Sequence, residues 1–318
     1  MRGLMVVNPQ ATSTSPRVTD VIIKAFSSEL QLDVVATTHR GHGIEIGQRA
    51  RNTGVDVVIT LGGDGIVNEL INGLLAEGAN PAGPMLATVP GGSANVFARS
   101  LGLAINPVEA AGQLLQALRT GSARTIGLGT VQVTSSAPDP EPKLRWFATN
   151  AGMGLDAEVI AAMERERRGG HAATPARYLA ITLQEYLTGT DRRRPHLTIE
   201  RPGSPPVTGV YLAIIQNTAP WTYIGSLPVN PCPAASFDSG LDMFALLSLS
   251  VASTARAAQR MLTGHRSTGS RTMVIWHDQA QLRVQADQPM ALQVDGEAAG
   301  EVLGMELHSR PNALRIVR

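Results

Sequence analysis

Val55-Asp56-Val57-Val58-Ile59-Thr60-Leu61 runs directly into Gly62-Gly63-Asp64-Gly65-Ile66-Val67-Asn68-Glu69, and the fold class follows from how this junction is understood. The first seven residues are mostly apolar and short enough for a buried strand. Beyond the glycines, Ile66, Val67, Leu70, Ile71, Leu74 and Leu75 recur at helical spacing, so a strand meets a helix across a glycine turn. Glycines there let the backbone bend tightly and bring its N–H groups, with the helix N-terminus, against an anion. A plain strand-to-helix connection capped by Asp64 accounts for the same residues, and the junction alone leaves both readings open.

Working outward, Leu4 to Val7, Leu32 to Ala36 and Met85 to Val89 read as further strands. Ser15 and Pro16 make an N-cap and N1 pair ahead of a face built from Val18, Val21, Ile22, Phe26 and Leu30. Asn106 and Pro107 start another helix that Gly121 can end. Strands alternating with helices predict an open α/β domain with a parallel sheet. A second glycine turn, Pro90-Gly91-Gly92-Ser93-Ala94-Asn95, also ends a strand and opens a helix. In open α/β sheets ligands bind off the carboxyl ends of the strands, so both turns share one rim and phosphate binding becomes the favoured reading. Val7-Asn8-Pro9-Gln10-Ala11-Thr12 ends the first strand on that rim, and by itself is an ordinary Asn-Pro turn.

After Gly121 the segments shorten and alternate. Strands are expected at Thr125 to Val133, Leu144 to Asn150, Leu197 to Glu200, Val210 to Gln216, Leu241 to Leu249, Thr272 to Trp276, Ala280 to Gln285 and Met290 to Val294. Helices are expected near Ala157 to Arg167, Ala176 to Leu187 and Val251 to Leu262, and an exposed loop at Ser135 to Pro142. The division is therefore residues 1–122, an α/β domain, and residues 123–318, a mostly antiparallel β domain whose last segment packs back on the first. Leu292-Gln293-Val294-Asp295-Gly296-Glu297 reads as a strand entering an Asp-Gly hairpin turn. Its two carboxylates could equally hold a metal and act as a base.

Composition narrows the chemistry. The 318 residues include 27 Lys and Arg, but Lys24 and Lys143 are the only lysines. Neither directly follows a glycine run, and Lys24 falls on what reads as a surface helix and Lys143 in a Pro-rich loop, which excludes a P-loop and argues against a Schiff-base enzyme. Cys232 is the single cysteine, so a disulfide framework and a multi-cysteine zinc site are excluded, and a reducing, cytoplasmic setting is expected. A net charge of +1 gives no global pull towards nucleic acid, and any anion must be gripped locally. The run Met1 to Val7 is too short for a signal peptide.

In order and spacing these motifs resemble the diacylglycerol kinase catalytic-domain family of lipid kinases, which includes bacterial diacylglycerol kinases and sphingosine kinases. The matching segments are Asn8-Pro9, Gly62 to Glu69, Gly92 to Arg99, Asn150 to Ala157 and Asp295-Gly296-Glu297. The resemblance implies a nucleotide-binding α/β domain like that of NAD kinases and phosphofructokinases, then a β-sandwich domain, with ATP between them and transfer of its γ-phosphate to a lipid hydroxyl. It implies that Asn8, Pro9, Gln10, Ala11, Thr12, Thr37, Gly62, Gly63, Asp64, Gly65, Ile66, Val67, Asn68, Glu69, Gly92 and Ser93 line the nucleotide. It further implies that Glu297 deprotonates the acceptor and that Asp295 supports a Mg²⁺ network, with Asp64 and Asp238 as further metal carboxylates. The partner implied is a lipid substrate met at a membrane surface, with no nucleic acid, and a homodimer is compatible with the sequence.

The chain also departs from the family pattern. Ile66 stands for Thr, Val96 for Asp, Gly127 for Asp, and Ser239 for the Asp of a structural magnesium pair, with Asp238 and Asp242 on either side. A family member that binds nucleotide or lipid without turnover therefore stays open, as does an NAD kinase, which shares the glycine turn. Arg165, Arg167, Arg168 and Arg192-Arg193-Arg194 suit either anionic headgroups or a solvated face. Trp221, Tyr223 and Ile224 suit either the wall of an apolar lipid tunnel or an ordinary core loop. His39 and His42 lack the further ligands of a metal pair.

Overall fold

The computed structural model describes residues 1–9, 14–134, 144–168, 181, 194–264 and 269–318, without the side chains of 167, 168 and 269. The expected helix Ala176 to Leu187, apart from Ile181, and the loop Ser135 to Pro142 lie outside these residues, as do Gln10, Ala11, Thr12, Lys143, Arg192 and Arg193. The chain divides into two compact units, Met1–Leu128 with Arg310–Arg318, and Gly129–Ser309.

In the first unit, strands β1 (Arg2–Val7), β2 (Gln31–Ala36), β3 (Val57–Gly62) and β4 (Met85–Pro90) form a parallel sheet in the order β4-β3-β1-β2. Every residue of β3 is buried, which explains its uninterrupted apolar run. The chain's final segment joins this sheet, with Ile316 beside Leu86. The helices are α1 (Pro16–Ser27), α2 (His42–Asn52), α3 (Asp64–Leu74), α4 (Val96–Ser100) and α5 (Pro107–Thr120). Ser15 caps α1 by accepting from Val18 N, and Asn106 caps α5 through Val108 N and Glu109 N. Gly121 ends α5 at φ 66°, the left-handed conformation that favours glycine.

Helix α2 is inconspicuous in the sequence because Gly43 and Gly47 interrupt its apolar face. Those glycines let it pack closely against α3. A Cβ on Gly47 would lie 2.8 Å from the Leu70 carbonyl oxygen, and one on Gly73 would run into the Ile44 carbonyl oxygen.

The second unit comprises the rest of β5 (Ala123–Thr134), then β6 (Leu144–Phe147), β7 (Asn150–Gly154), β8 (Leu197–Glu200), β9 (Val207–Val210), β10 (Leu212–Gln216), β11 (Thr222–Ile224), β12 (Leu227–Val229), β13 (Leu241–Leu246), β14 (Gly269–Ser270), β15 (Met273–Gln279), β16 (Gln281–Val294) and β17 (Glu297–Val317), which ends in the first unit. Helices α6 (Leu155–Arg168) and α7 (Val251–Thr263) also belong to it. The order β14-β15-β13-β10-β7-β16-β17 is antiparallel throughout, with β8 also on β16 and β9 on β8. Strand β10 is buried on both faces. Leu212 and Ile214 meet Val159 and Met163 of α6 and Ala257 of α7 in one core, while Ala213 and Ile215 enter a second core with Ile199 and Val284.

Three sequence expectations are revised. Leu144 to Asn150 is two strands, because the Ala148, Thr149 and Asn150 amides donate to Asp295 rather than to a ladder. Ala280 to Gln285 and Met290 to Val294 belong to one long strand whose register shifts between Gln285 and Met290. The 21-residue β17 escapes the sequence pattern because Gly300, Gly304 and Pro311 break its alternation.

Gly73→Ala is expected to lower unfolding free energy by about 1–3 kcal/mol, because α2 must move away. A Cβ added to Gly112, in α5, would have nothing within 4 Å, and Gly112→Ala is expected to stabilise by about 0.5–1 kcal/mol. Urea unfolding of both variants checks the pair, and equal shifts would contradict the close helix packing.

Candidate active site

Strand β1 lies between β2 and β3, so successive connections leave it in opposite directions. The carboxyl ends of β1 and β3 therefore form a topological switch point, where open α/β sheets bind ligands. Asn8 N donates to Leu61 O at 3.1 Å, Thr37 N to Val7 O at 2.9 Å and Gly91 N to Gly62 O at 2.8 Å, so all four strand ends are tied into one rim. The two glycine turns touch. A Cβ on Gly92 would lie 2.6 Å from Gly63 Cα, and one on Gly62 would lie 2.6 Å from Ile66 Cγ2. Asn95, in the left-handed region at φ 48°, pins the second turn by accepting from Gly92 N at 2.8 Å and donating to Gly92 O at 2.7 Å.

Helix N-termini present free N–H groups to anions, and three of them start at this rim. Glu69 occupies that of α2, accepting from Gly41 N and Gly43 N at 2.8 Å each. Asp64 occupies that of α4, accepting from Val96 N and Phe97 N at 3.0 Å each. Helix α3 begins at Gly63 with no side-chain cap, beside the switch point.

This geometry sorts the residues expected at the nucleotide. Asn8, Pro9, Thr37, Gly63, Asp64, Gly65, Gly92 and Ser93 lie on the rim, with Ser93 and Pro9 exposed. Gly62, Ile66, Val67 and Asn68 are buried, the last three on the inward face of α3, and they shape the turn from behind. Asp64 and Glu69 tie helices together. Asn95 is a site residue that the sequence reading misses, although an Asn after a glycine pair is a signal for the left-handed conformation.

In the second unit, β16 and β17 meet at Asp295 (φ 50°) and Gly296 (φ 77°), with Val294 paired to Glu297. Two positive φ values make this the twisted hairpin turn that Asp-Gly encodes. Asp295 is 7% exposed. Its Oδ1 accepts from Thr149 N at 2.8 Å, Thr149 Oγ1 at 2.8 Å and Asn150 N at 3.1 Å, and its Oδ2 accepts from Ala148 N at 2.9 Å. The Glu297 carboxylate is 26% exposed and lies 3.5 Å from the Arg145 guanidinium.

Magnesium takes octahedral oxygen coordination and keeps several waters. The carboxylates of Asp64 and Asp295 are engaged by backbone donors, Asp238 is exposed, and Asp242 is held by His277 Nδ1 at 2.7 Å. Among the described residues no group of three or more His, Cys, Asp or Glu comes together. The described residues therefore offer no all-protein magnesium cage. His39 and His42 stack with ring centroids 4.9 Å apart, and Trp221 packs on the core that includes Leu212 and Phe244.

Asp156, at the start of α6, has a buried Oδ1 with no hydrogen-bond partner among the described residues, while its Oδ2 accepts from Gln293 Nε2 at 2.8 Å. Burial pushes its carboxyl up to about 7, against the opposing pull of the Gln293 bond. A carboxyl proton there lowers the cost of the buried oxygens.

The first unit is thus an open parallel α/β sheet with glycine turns at the carboxyl ends of its strands, and the second a mostly antiparallel β unit. Residues 2–131 match the family model of the diacylglycerol kinase catalytic domain. The Chromohalobacter salexigens protein named "Probable lipid kinase YegS-like" is 33% identical over 155 residues, 44% of this chain and 48% of that protein. The chain thus spans about half the length of that relative in the match. The diacylglycerol kinase of Bacillus subtilis is 24% identical over 306 residues, 95% of this chain and 92% of its own length. A solved structure of a Bacillus anthracis diacylglycerol kinase aligns at TM-score 0.70 and 17% identity, covering 99% of this chain and 96% of that one, which shows the shared fold.

Asp295→Asn is expected to lower unfolding free energy by roughly 2–4 kcal/mol, because an amide cannot accept on both sides. A variant that loses magnesium dependence at unchanged melting temperature would instead make Asp295 a metal group. For Asp156 the folded protein binds a proton more tightly than the unfolded chain. Its contribution is complete below about pH 4 and is lost as pH rises to about 7, with a slope of at most about 1.4 kcal/mol per pH unit. Urea unfolding across that window should show this slope in the wild type and its loss in Asp156→Asn, and parallel curves would mean that Asp156 is ionised in the fold.

Proposed function

We propose that this protein is an ATP-dependent lipid kinase that transfers the γ-phosphate to a hydroxyl of diacylglycerol or a related lipid. The observation that carries this reading is the start of α3 at the switch point, where the two glycine turns touch, within residues that match the diacylglycerol kinase catalytic-domain model. The names of the relatives support the lipid as acceptor.

In this reading the Gly63 to Gly65 amides and the Ser93 hydroxyl hold the triphosphate. Phosphoryl transfer depends on positioning and charge neutralisation rather than covalent help, so backbone amides can serve in place of a lysine. Glu297 accepts the lipid hydroxyl proton, the oxygen bonds to the γ-phosphorus, and the bond to the bridging oxygen breaks to release ADP. Glu297 suits this role because its carboxylate is partly exposed while Asp295 is sealed. Arg145 fixes the carboxylate's direction. Mg²⁺ arriving on the triphosphate would neutralise its charge, with water and phosphate oxygens as ligands. The substrate sits in a bilayer, so the protein works at a membrane surface. No helix among the described residues is long and apolar enough to cross one.

The test is transfer of radiolabelled phosphate from ATP to diacylglycerol in mixed vesicles. Glu297→Gln is expected to lower kcat by about 10²- to 10⁴-fold, the usual worth of a general base, with ATP binding retained. Unchanged turnover would remove Glu297 as the base. Nucleotide binding without transfer to diacylglycerol, a sphingoid base or a glycolipid would overturn the kinase reading.

A further inference from the structure

The turn that carries Glu297 is held from two sides. Asp295 and its four donors form one. The other is Gln293, which is 1% exposed and follows a register irregularity between Ala291 and Gln293. Its Oε1 accepts from Gly296 N at 2.9 Å, the amide between Asp295 and Glu297. Its Nε2 donates to Asn150 Oδ1 and to Asp156 Oδ2, both at 2.8 Å.

This arrangement fixes the amide's orientation. A flipped Gln293 would set its oxygen against two acceptor oxygens and its NH₂ against an N–H donor, so only one orientation satisfies all partners. Asn150 links the two sides, donating through Nδ2 to Thr149 Oγ1 at 3.1 Å, and that hydroxyl donates to Asp295 Oδ1. Gly152 faces Gln293 across the β7–β16 ladder. A Cβ on Gly152 would lie 3.0 Å from Gln293 Nε2 and would run into Asp156 Oδ2, so the glycine clears the space for this contact.

We propose that Gln293 is the positioning residue for Glu297: Asp156 and Asn150 hold its amide, and its carbonyl oxygen holds the Gly296 amide that sets where the Glu297 side chain departs. A methionine or leucine would fill the same volume without a directed bond to the turn. The assignment rests on the reading of Glu297 as the base. A base displaced by about 1 Å can lose on the order of 10²-fold in rate.

The experiment uses Gln293→Met in the full chain, with Gly152→Ala as a second variant that displaces the amide while leaving Gln293 in place. Phosphoryl transfer from ATP to diacylglycerol vesicles should show kcat lower by on the order of 10²-fold with KM for ATP unchanged. Amide hydrogen exchange of residues 294–298 should quicken by about tenfold or more, while 281–285 and 304–308 keep their protection. Unchanged exchange at 294–298 in a folded variant overturns the proposal, as does a raised KM for ATP with kcat intact. If the wild type transfers phosphate to no lipid, the kinase reading fails separately. Exchange then decides whether Gln293 positions the turn.

Discussion

The carboxylate of Asp295 is the constraint on which the second unit's arrangement depends. It gathers donors from three consecutive residues, Ala148 to Asn150, and its own amide donates to Asn150 O at 2.8 Å. A buried carboxylate needs such donors, since an uncompensated charge in a protein interior is costly. Supplying them turns the chain at Ala148 to Asn150 and starts β7 at Asn150. Strand β7 then lies between β10 and β16. One side chain therefore sets the hairpin turn, the start of a central strand and the direction in which Glu297 leaves the turn.

The first unit uses carboxylates in the same way. Asp64 joins the first glycine turn to α4, and Glu69 joins α3 to α2. Each satisfies N–H groups at a helix start, where the macrodipole favours negative charge. An internal carboxylate at a helix N-terminus also excludes an external anion from it. Helix α3, by contrast, starts at Gly63, which brings no side chain to its own N-terminus.

What is legible in the sequence follows from the range of the interactions involved. The strand, glycine turn and helix from Val57 to Leu74 depend on neighbours in the chain, and periodicity shows them. Asp295-Gly296 shows itself as a hairpin because both residues tolerate positive φ. Helix α2 is hidden because its glycines, needed for close contact with α3, erase the apolar stripe. The work done by Asp64, Asp295 and Gln293 is hidden for another reason. Asp64 reaches residues 32 and 33 positions away, while Asp295 and Gln293 reach partners between 137 and 147 positions away, so no local pattern can show that these groups are already engaged. Their motifs show that a carboxylate or amide is present without showing what it binds.

The scarcity of lysine bears on the same point. Lys24 lies on the exposed face of α1, so no lysine among the described residues belongs to the glycine turns or to the Asp-Gly hairpin. Backbone amides fixed by a strand-helix junction lose little freedom when a phosphate binds, whereas a long cationic side chain must be ordered. Two carboxylates separated by one glycine then divide their roles by environment alone. Asp295, 7% exposed and filled with donors, builds the turn. Glu297, 26% exposed beside Arg145, remains the carboxylate able to meet a substrate. The difference arises because Asp295 lies within the tight two-residue turn while Glu297 is the first residue after it, so the two side chains meet different surroundings and the hairpin that makes Asp295 structural also makes Glu297 accessible.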